Sequence, residues 1–262
     1  MRKIGLATAV FLLAASNPAA AQTIYIAGDS TATDRGPSSY PELGWGMMLP
    51  CGLTTGATVR NFAKGGRSTK TFIEEGRLDR ILERLVPGDA VLIQFGHNDA
   101  NHKRPERYVA AEGAFTDNLR RFVTSIREKG GLPILLTPVT RRSFENGKAK
   151  ADFPAYSAAT RAVAADMKVP LIDLESLSRK WLDQVGVEES KHYYLHYTAA
   201  DGIPRWPKGK SDNTHFSEIG ARAIANIVAG ALRDLGLPVS RLVLQHRPDL
   251  TRDKPVGSSQ CH

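Results

Sequence analysis

Five short apolar runs alternate with longer amphipathic stretches along this chain. The third and fourth runs are almost wholly apolar, which indicates strands buried on both faces, as in a parallel sheet. The five strand candidates are 23–27, 57–62, 90–95, 133–137 and 169–174.

The stretches between these runs place apolar side chains three and four residues apart, the pattern of a helix with one buried face. Ser217 is expected to cap the last of these helices, and Gly236 to end it. Repeated strand–helix units predict a doubly wound α/β fold, in which ligands bind at the carboxyl ends of the strands. The helix candidates are 77–85, 114–129, 155–167 and 219–235.

Two stretches without a clear pattern, 141–152 and 186–213, are expected to be long loops that border a substrate cleft. The segment 237–262 is polar, contains several prolines and is expected to form a C-terminal tail over the surface. Because no linker, repeat or low-complexity block interrupts the pattern, residues 22–262 are predicted to form one domain.

Residues 1–21 have the pattern of a secretory signal peptide. Arg2 and Lys3 precede the apolar run 4–15, and three alanines end at Ala21. A membrane anchor is the alternative, but this run is shorter than the ~20 apolar residues that span a bilayer. The mature chain is therefore expected to begin at Gln22 and to be exported to the periplasm or the medium, without membrane insertion.

Cysteine content and charge add two expectations. The two cysteines, Cys51 and Cys261, either form a disulfide or stay free, and the distance between their Cα atoms decides which. Without Arg2 and Lys3, 33 basic residues against 27 acidic ones give the mature chain a net charge of about +6. A basic surface favours encounter with an anionic polymer, whereas no basic run with interleaved aromatic residues indicates nucleic-acid binding.

Four short polar segments follow apolar runs, and three of them come directly after the first three strand candidates. Together they contain a hydroxyl nucleophile, an imidazole with a carboxylate three residues before it, and donors for an oxyanion. These groups are the components of acyl transfer to water. The segments are Gly28-Asp29-Ser30, Gly65-Gly66, Gly96-His97-Asn98-Asp99 and Asp212-Asn213-Thr214-His215.

Ser30 is the candidate nucleophile, His215 the candidate base and Asp212 the carboxylate that orients this base. The structural alternatives are a helix cap for Ser30 and a solvated loop pair for the other two. A metal site is disfavoured, because no HExxH motif or Cys/His cluster accompanies them. The backbone N–H of Gly66 and the side-chain amide of Asn98 are candidate oxyanion donors, with a tight turn and an Asx turn as the alternatives.

These segments resemble the four sequence blocks of the SGNH or GDSL hydrolase superfamily. Their details (GDST, GRST, GHND and DNTHF) are most similar to rhamnogalacturonan acetylesterases, with Thr31 in place of the usual leucine, and the resemblance extends from residue 23 to about residue 235. It implies a three-layer α/β/α, flavodoxin-like fold with a five-stranded parallel sheet, and no cofactor. It also implies Ser30, Asp212 and His215 as the catalytic residues, and an oxyanion hole formed by Ser30 N–H, Gly66 N–H and the Asn98 amide.

The expected function is therefore that of an exported, monomeric serine esterase that removes O-acetyl groups from plant cell-wall polysaccharide, with rhamnogalacturonan in pectin as the first expectation. The alternatives are a general esterase, lipase or thioesterase, a xylan acetylesterase, and a carbohydrate-binding module without catalysis. Five residues are expected to contact sugar, with ordinary loop packing as the alternative for the aromatic ones: Arg67, His192, Tyr193, Tyr194 and Trp206.

Overall fold

The computed structural model describes residues 22–261 and has a parallel β-sheet at its centre. The strands of the described residues are Gln22–Gly28 (β1), Ala57–Asn61 (β2), Ala90–Gln94 (β3), Leu132–Leu136 (β4), Phe144–Glu145 (β5), Lys148–Ala149 (β6), Leu171–Ile172 (β7), Tyr194–Tyr197 (β8) and Lys210–Phe216 (β9). Their α-helices are Trp45–Met48 (α1), Thr69–Glu74 (α2), Arg77–Leu82 (α3), Thr116–Glu128 (α4), Pro154–Asp166 (α5), Leu174–Val185 (α6) and Glu218–Asp234 (α7).

Five strands form the main sheet in the order β2-β1-β3-β4-β7, and every neighbouring pair is parallel. Helices cover both faces, because successive side chains of a strand point to opposite sides. Ile24 and Ile26 of β1 share a core with α1, α6 and α7, whereas Tyr25 and Ala27 share a second core with α2 to α5. The predicted three-layer α/β/α fold is confirmed.

Some predicted boundaries and loops were wrong. The fifth strand is limited to β7, and a helix, α6, begins where the strand was expected to continue. The two expected long loops contain antiparallel hairpins: β5 pairs with β6, and β8 pairs with β9. The cap of the last helix is as predicted, since the Ser217 side chain accepts the Gly220 N–H at 3.3 Å.

A disulfide joins Cys51 to Cys261, with the two Cα atoms 5.2 Å apart. It attaches the C-terminal tail to the segment that precedes β2, which decides between the two expectations for the cysteines. The predicted signal peptide, 1–21, lies outside the described residues. Within residues 22–261, no helix has the length and apolar character needed to cross a bilayer.

Candidate active site

The ends of β1, β2 and β3 place three of the polar segments together at the carboxyl edge of the sheet. Because β1 lies between β2 and β3, the segments that follow these strands are neighbours. A Cβ added to Gly65 would lie 3.7 Å from the Cβ of Ser30, and the Asn98 amide donates to the Arg67 carbonyl at 3.0 Å. The sequence expectation that these segments meet at one edge is confirmed.

His215 reaches this edge from β9, through an irregularity in the β8–β9 hairpin. Leu195 pairs with Asp212 and Tyr194 pairs with Phe216, so residues 213–215 have no strand-pairing partner in β8. Such a bulge bends a strand and redirects its side chains. It turns His215 towards the end of β1, where Ser30 lies.

Ser30, His215 and Asp212 form one continuous hydrogen-bonded array. The Nε2 atom of His215 lies 2.9 Å from Ser30 Oγ, and its Nδ1 atom lies 2.9 Å from Asp212 Oδ2. The other carboxylate oxygen accepts the N–H groups of Thr214 at 2.8 Å and of His215 at 3.1 Å. This arrangement can take a proton from the Ser30 hydroxyl and hold the resulting imidazolium.

Asp212 is kept ionised in this array. Burial opposes ionisation, but the hydrogen bonds and the nearby charge of His215, with the two backbone N–H donors, hold the pKa of Asp212 well below its usual range. The ammonium of Lys210 lies 3.5 Å from Asp212 Oδ2 and adds a second positive partner. A permanently charged carboxylate fixes the orientation of the imidazole.

Three N–H groups near Ser30 are available to a ligand. Within the described residues, neither the Ser30 N–H nor the Gly66 N–H has a hydrogen-bond acceptor. The Asn98 amide gives one hydrogen to Arg67 and keeps the second. Gly66 has φ of +80° in a turn closed by Arg67 N–H and Lys64 O at 3.2 Å, a conformation that glycine adopts without strain.

A buried aspartate lies directly before the serine. Asp29 is fully buried, and one of its oxygens accepts the Thr31 N–H at 2.9 Å and the Thr31 hydroxyl at 2.8 Å. Its other oxygen lies 3.5 Å from His97 Nδ1. Burial favours the neutral acid, but His97 and the Thr31 donors outweigh it and lower the pKa of Asp29. Asp29 thus positions the turn that carries Ser30.

A second buried aspartate joins the segment after β3 to the start of α2. Asp99 accepts the Thr69 N–H at 2.8 Å and the Thr69 hydroxyl at 2.6 Å through one oxygen, and the Gly96 N–H at 3.1 Å through the other. Burial raises the pKa of Asp99 to about 7 despite these donors, and the charge of Asp29 adds to the rise. Asp99 therefore changes its charge near neutral pH.

A cavity of about 350 Å³ opens over the serine. Polar groups dominate its wall, and Arg141 and Asn101 were not singled out from the sequence. A signal for Arg141 existed, since a basic pair follows the fourth strand candidate at the start of the segment 141–152. The lining residues are Ser30, His97, Asn98, Ala100, Asn101, Arg141, Phe153, Thr214 and His215.

None of the five residues expected to contact sugar lines this cavity. Arg67 is bound to Glu75, with Nη2 2.8 Å from Oε1, and His192 is exposed beside a different cavity. Tyr193 packs edge-on against Trp181, and Trp206 stacks on Tyr197.

Tyr194 has a fully buried side chain, whose hydroxyl donates to the Thr140 carbonyl at 3.1 Å, and it belongs to the wall of the same cavity as His192. A sugar contact of Tyr194 stays a prediction. Among residues 22–261, no group of three or more His, Cys, Asp or Glu side chains is arranged to hold a metal ion.

Comparison with known proteins is consistent with this geometry. Residues 26–223 match the model of the GDSL-like Lipase/Acylhydrolase family. The rhamnogalacturonan acetylesterase RhgT of Bacillus subtilis is 41% identical over 217 residues, which are 82% of this chain and 91% of that protein. The probable rhamnogalacturonan acetylesterase YesY of the same organism is 40% identical over 227 residues, 87% of this chain and 100% of its own length.

A solved structure shares the fold. The crystal structure of the Bacillus subtilis protein YXIM superposes with a TM-score of 0.70 at 31% identity, over 82% of this chain and 57% of that chain, so this chain spans little more than half of that protein. The sequence resemblance is thereby confirmed. The chain belongs to the GDSL-like lipase and acylhydrolase family and is a carboxylic ester hydrolase.

Proposed function

We propose that this chain is an exported carbohydrate O-acetylesterase whose substrate is acetylated rhamnogalacturonan of pectin. The observation that carries the proposal is the hydrogen-bonded array from Ser30 through His215 to Asp212, beside N–H groups that have no acceptor among residues 22–261. The names of the two relatives at 40–41% identity support an acetylated polysaccharide as substrate.

In the proposed reaction, Ser30 Oγ attacks the acetyl carbonyl while His215 Nε2 takes its proton. The negative oxygen of the tetrahedral intermediate is stabilised by the N–H groups of Ser30 and Gly66 and by the Asn98 amide, each donor contributing about 3–4 kcal/mol. His215 then gives its proton to the departing sugar hydroxyl. Finally, His215 removes a proton from water, which attacks the acetyl carbonyl of the acetyl-enzyme. The bond to Ser30 Oγ then breaks, His215 returns the proton to that oxygen, and acetate leaves.

The cavity supports a short acyl group rather than a lipid chain. Only Ala100 and Phe153 of its lining residues are apolar, so a long acyl chain would lie against polar and charged groups, at a cost. Export is supported by the disulfide of Cys51 and Cys261, because disulfides persist mainly in oxidising compartments.

The test is acetate release from acetylated rhamnogalacturonan by wild type, Ser30→Ala and Ser38→Ala. Ser38 is an exposed serine a short way along the chain and serves as the matched control. Ser30→Ala is expected to lose at least about 10³-fold in kcat, as other serine hydrolases do, and Ser38→Ala to keep wild-type activity.

Undiminished release by Ser30→Ala would reject the serine mechanism. Faster release from acetylated xylan than from rhamnogalacturonan would reject the pectin assignment. A preference for long-chain over acetyl nitrophenyl esters would favour the lipase alternative.

A further inference from the structure

Arg141 is a cation beside Ser30, and its terminal nitrogens have no partner in the part of the chain that the structure describes. Its backbone N–H donates to Asp152 Oδ2 at 3.0 Å, and its Nε donates to Thr214 Oγ1 at 2.8 Å. Within residues 22–261, its Nη1 and Nη2 atoms have no hydrogen-bond acceptor, and no carboxylate lies within ion-pair distance. The side chain lines the same cavity as Ser30 and His215.

The terminal nitrogens of the neighbouring arginines are already bound to carboxylate or carbonyl oxygens of the protein. Arg35 lies 2.6 Å from a carboxylate oxygen of Glu42, and Arg67 is bound to Glu75. Arg142, next to Arg141 in sequence, donates from its terminal nitrogens to the Val187 carbonyl at 2.6 Å and to the Asn213 side chain at 3.3 Å. Arg107 donates from Nη1 to the Gly66 carbonyl at 3.3 Å. Among these arginines, Arg141 alone combines a bound Nε with two terminal nitrogens that have no acceptor within residues 22–261.

A guanidinium fixed in this way suits a carboxylate. Its two terminal nitrogens present parallel N–H donors that match the two oxygens of a carboxylate. Because Thr214 already holds the Nε atom, little side-chain freedom remains to be lost when a ligand binds. The alcohol part of the ester must lie in the same cavity, next to Ser30 Oγ.

We propose that Arg141 determines substrate specificity by binding the carboxylate of a uronic acid residue, on the sugar that carries the acetyl ester or on the sugar next to it. The inference rests on the proposed function and names the part of the substrate that this site recognises. In this proposal Arg141, rather than Arg67, contacts the anionic sugar, because the charge of Arg67 is already neutralised by Glu75.

The test compares two acetylated rhamnogalacturonan oligosaccharides that differ only in their carboxyl groups, which are free in one and methyl-esterified in the other. For each enzyme, kcat/KM is measured from acetate release on both substrates and from nitrophenyl acetate hydrolysis. Arg141→Gln is expected to lose about 10–100-fold on the free acid, the range of a charge-assisted hydrogen-bond pair, and to stay within about 3-fold of wild type on the other two substrates.

Three further variants separate recognition from structure. Arg141→Lys keeps the positive charge but not the two parallel N–H donors of the guanidinium. It is expected to lose less kcat/KM on the free acid than Arg141→Gln does. Thr214→Val removes the acceptor of the Arg141 Nε–H. It is expected to lower kcat/KM on the free-acid substrate less than Arg141→Gln does. Arg241→Gln makes the same charge change at an exposed residue and is expected to have no effect. Arg241 lies away from the cavity, two residues before Val243, which pairs with Leu53.

The results distinguish the inference from the function on which it rests. An equal loss on both oligosaccharides in Arg141→Gln, or a wild type with no preference for the free acid, would overturn the role of Arg141 and leave the acetylesterase intact. A wild type that hydrolyses nitrophenyl acetate but neither of the two rhamnogalacturonan oligosaccharides would overturn the proposed function, and this inference with it.

Discussion

Two buried carboxyl groups near the nucleophile have pKa values that are shifted in opposite directions, and their surroundings explain both shifts. Asp29 faces His97 and the Thr31 donors, so its pKa is lowered in spite of burial. Asp99 has hydrogen-bond donors but, among residues 22–261, no cation in an ion pair with it, so burial and the charge of Asp29 raise its pKa to about 7. When two acids share one buried site, the negative charge of one raises the pKa of the other, so the second stays neutral to a higher pH.

Asp99 predicts a pH dependence of stability. The folded state holds the Asp99 proton up to about pH 7, whereas the unfolded chain loses it near the ordinary value of 3.8. Between these values the folded state binds more protons, so this group makes the free energy of unfolding fall as pH rises, by a few kcal/mol in all, and the fall ends above about pH 7.

The measurement is the free energy of unfolding in urea, at about pH 5 and about pH 8, for wild type and Asp99→Asn. Asparagine keeps an oxygen for Thr69 but does not titrate, so the variant is expected to show a smaller decrease between the two pH values than wild type. Equal decreases in the two proteins would contradict the assignment, whatever the absolute stability of the variant.

At the scale of elements, the parts that depend on local pattern were predictable and the parts that depend on distant partners were not. The sheet strands and the residues after their ends, such as Ser30 and Asn98, follow from apolar runs. Helix α6 was missed because its buried face includes Glu175 and Ser178, which breaks the apolar spacing. Glu175 is acceptable there because Arg161 and Arg179 pair with it, and Arg161 comes from another helix.

Dependence on distant partners also explains which features of the site could not be predicted from the sequence. The β8–β9 pairing and its bulge join stretches that have no hydrophobic period of their own. The position of His215 beside Ser30 could therefore be inferred only from the sequence motif that contains His215. The pairing of Arg67 with Glu75 and the free ends of Arg141 likewise depend on which side chains meet in three dimensions.

Helix α7 offers a matched pair of glycine substitutions. A Cβ on Gly220 would overlap the Tyr193 carbonyl oxygen, whereas a Cβ on Gly230 would lie 3.5 Å from its nearest neighbour, Arg247 Nη2. Gly220→Ala is expected to destabilise the protein by about 1–3 kcal/mol because the backbone before β8 must move. Gly230→Ala is expected to stabilise it by about 0.5–1 kcal/mol through helix propensity.

Thermal unfolding of the two alanine variants beside wild type checks this prediction. The midpoint should fall for Gly220→Ala and rise for Gly230→Ala. A similar shift in both variants would mean that the contact between α7 and Tyr193 does not constrain this helix.

At the scale of the whole molecule, the C-terminal tail is bound to the body by two independent means. The disulfide joins Cys261 to Cys51, 210 residues earlier in the chain. The fully buried Arg222 of α7 donates to backbone carbonyls of the tail, including that of Asp249 at 3.0 Å, and pairs with Glu218 at 2.9 Å. The tail thus completes the cover of α7.

Removal of the disulfide tests its share of the stability. A Cys51→Ser/Cys261→Ser double variant is expected to lose about 2–5 kcal/mol in free energy of unfolding, because the unfolded chain is no longer closed into a long loop. Urea unfolding of oxidised wild type and of the double variant gives the difference, and rates on nitrophenyl acetate show whether the site is intact. Identical unfolding curves would show that Arg222 and its carbonyl partners hold the tail unaided.

The bulged hairpin has a consequence for how this enzyme loses activity. The alcohol lies at the end of a five-stranded sheet, but the imidazole lies on a two-stranded ribbon, which has fewer backbone pairs to hold it than the sheet has. Partial melting of that ribbon would draw the two groups apart while every strand of the sheet stayed paired. Turnover should therefore vanish on warming before the circular-dichroism signal changes, and should return on cooling without any refolding of the core.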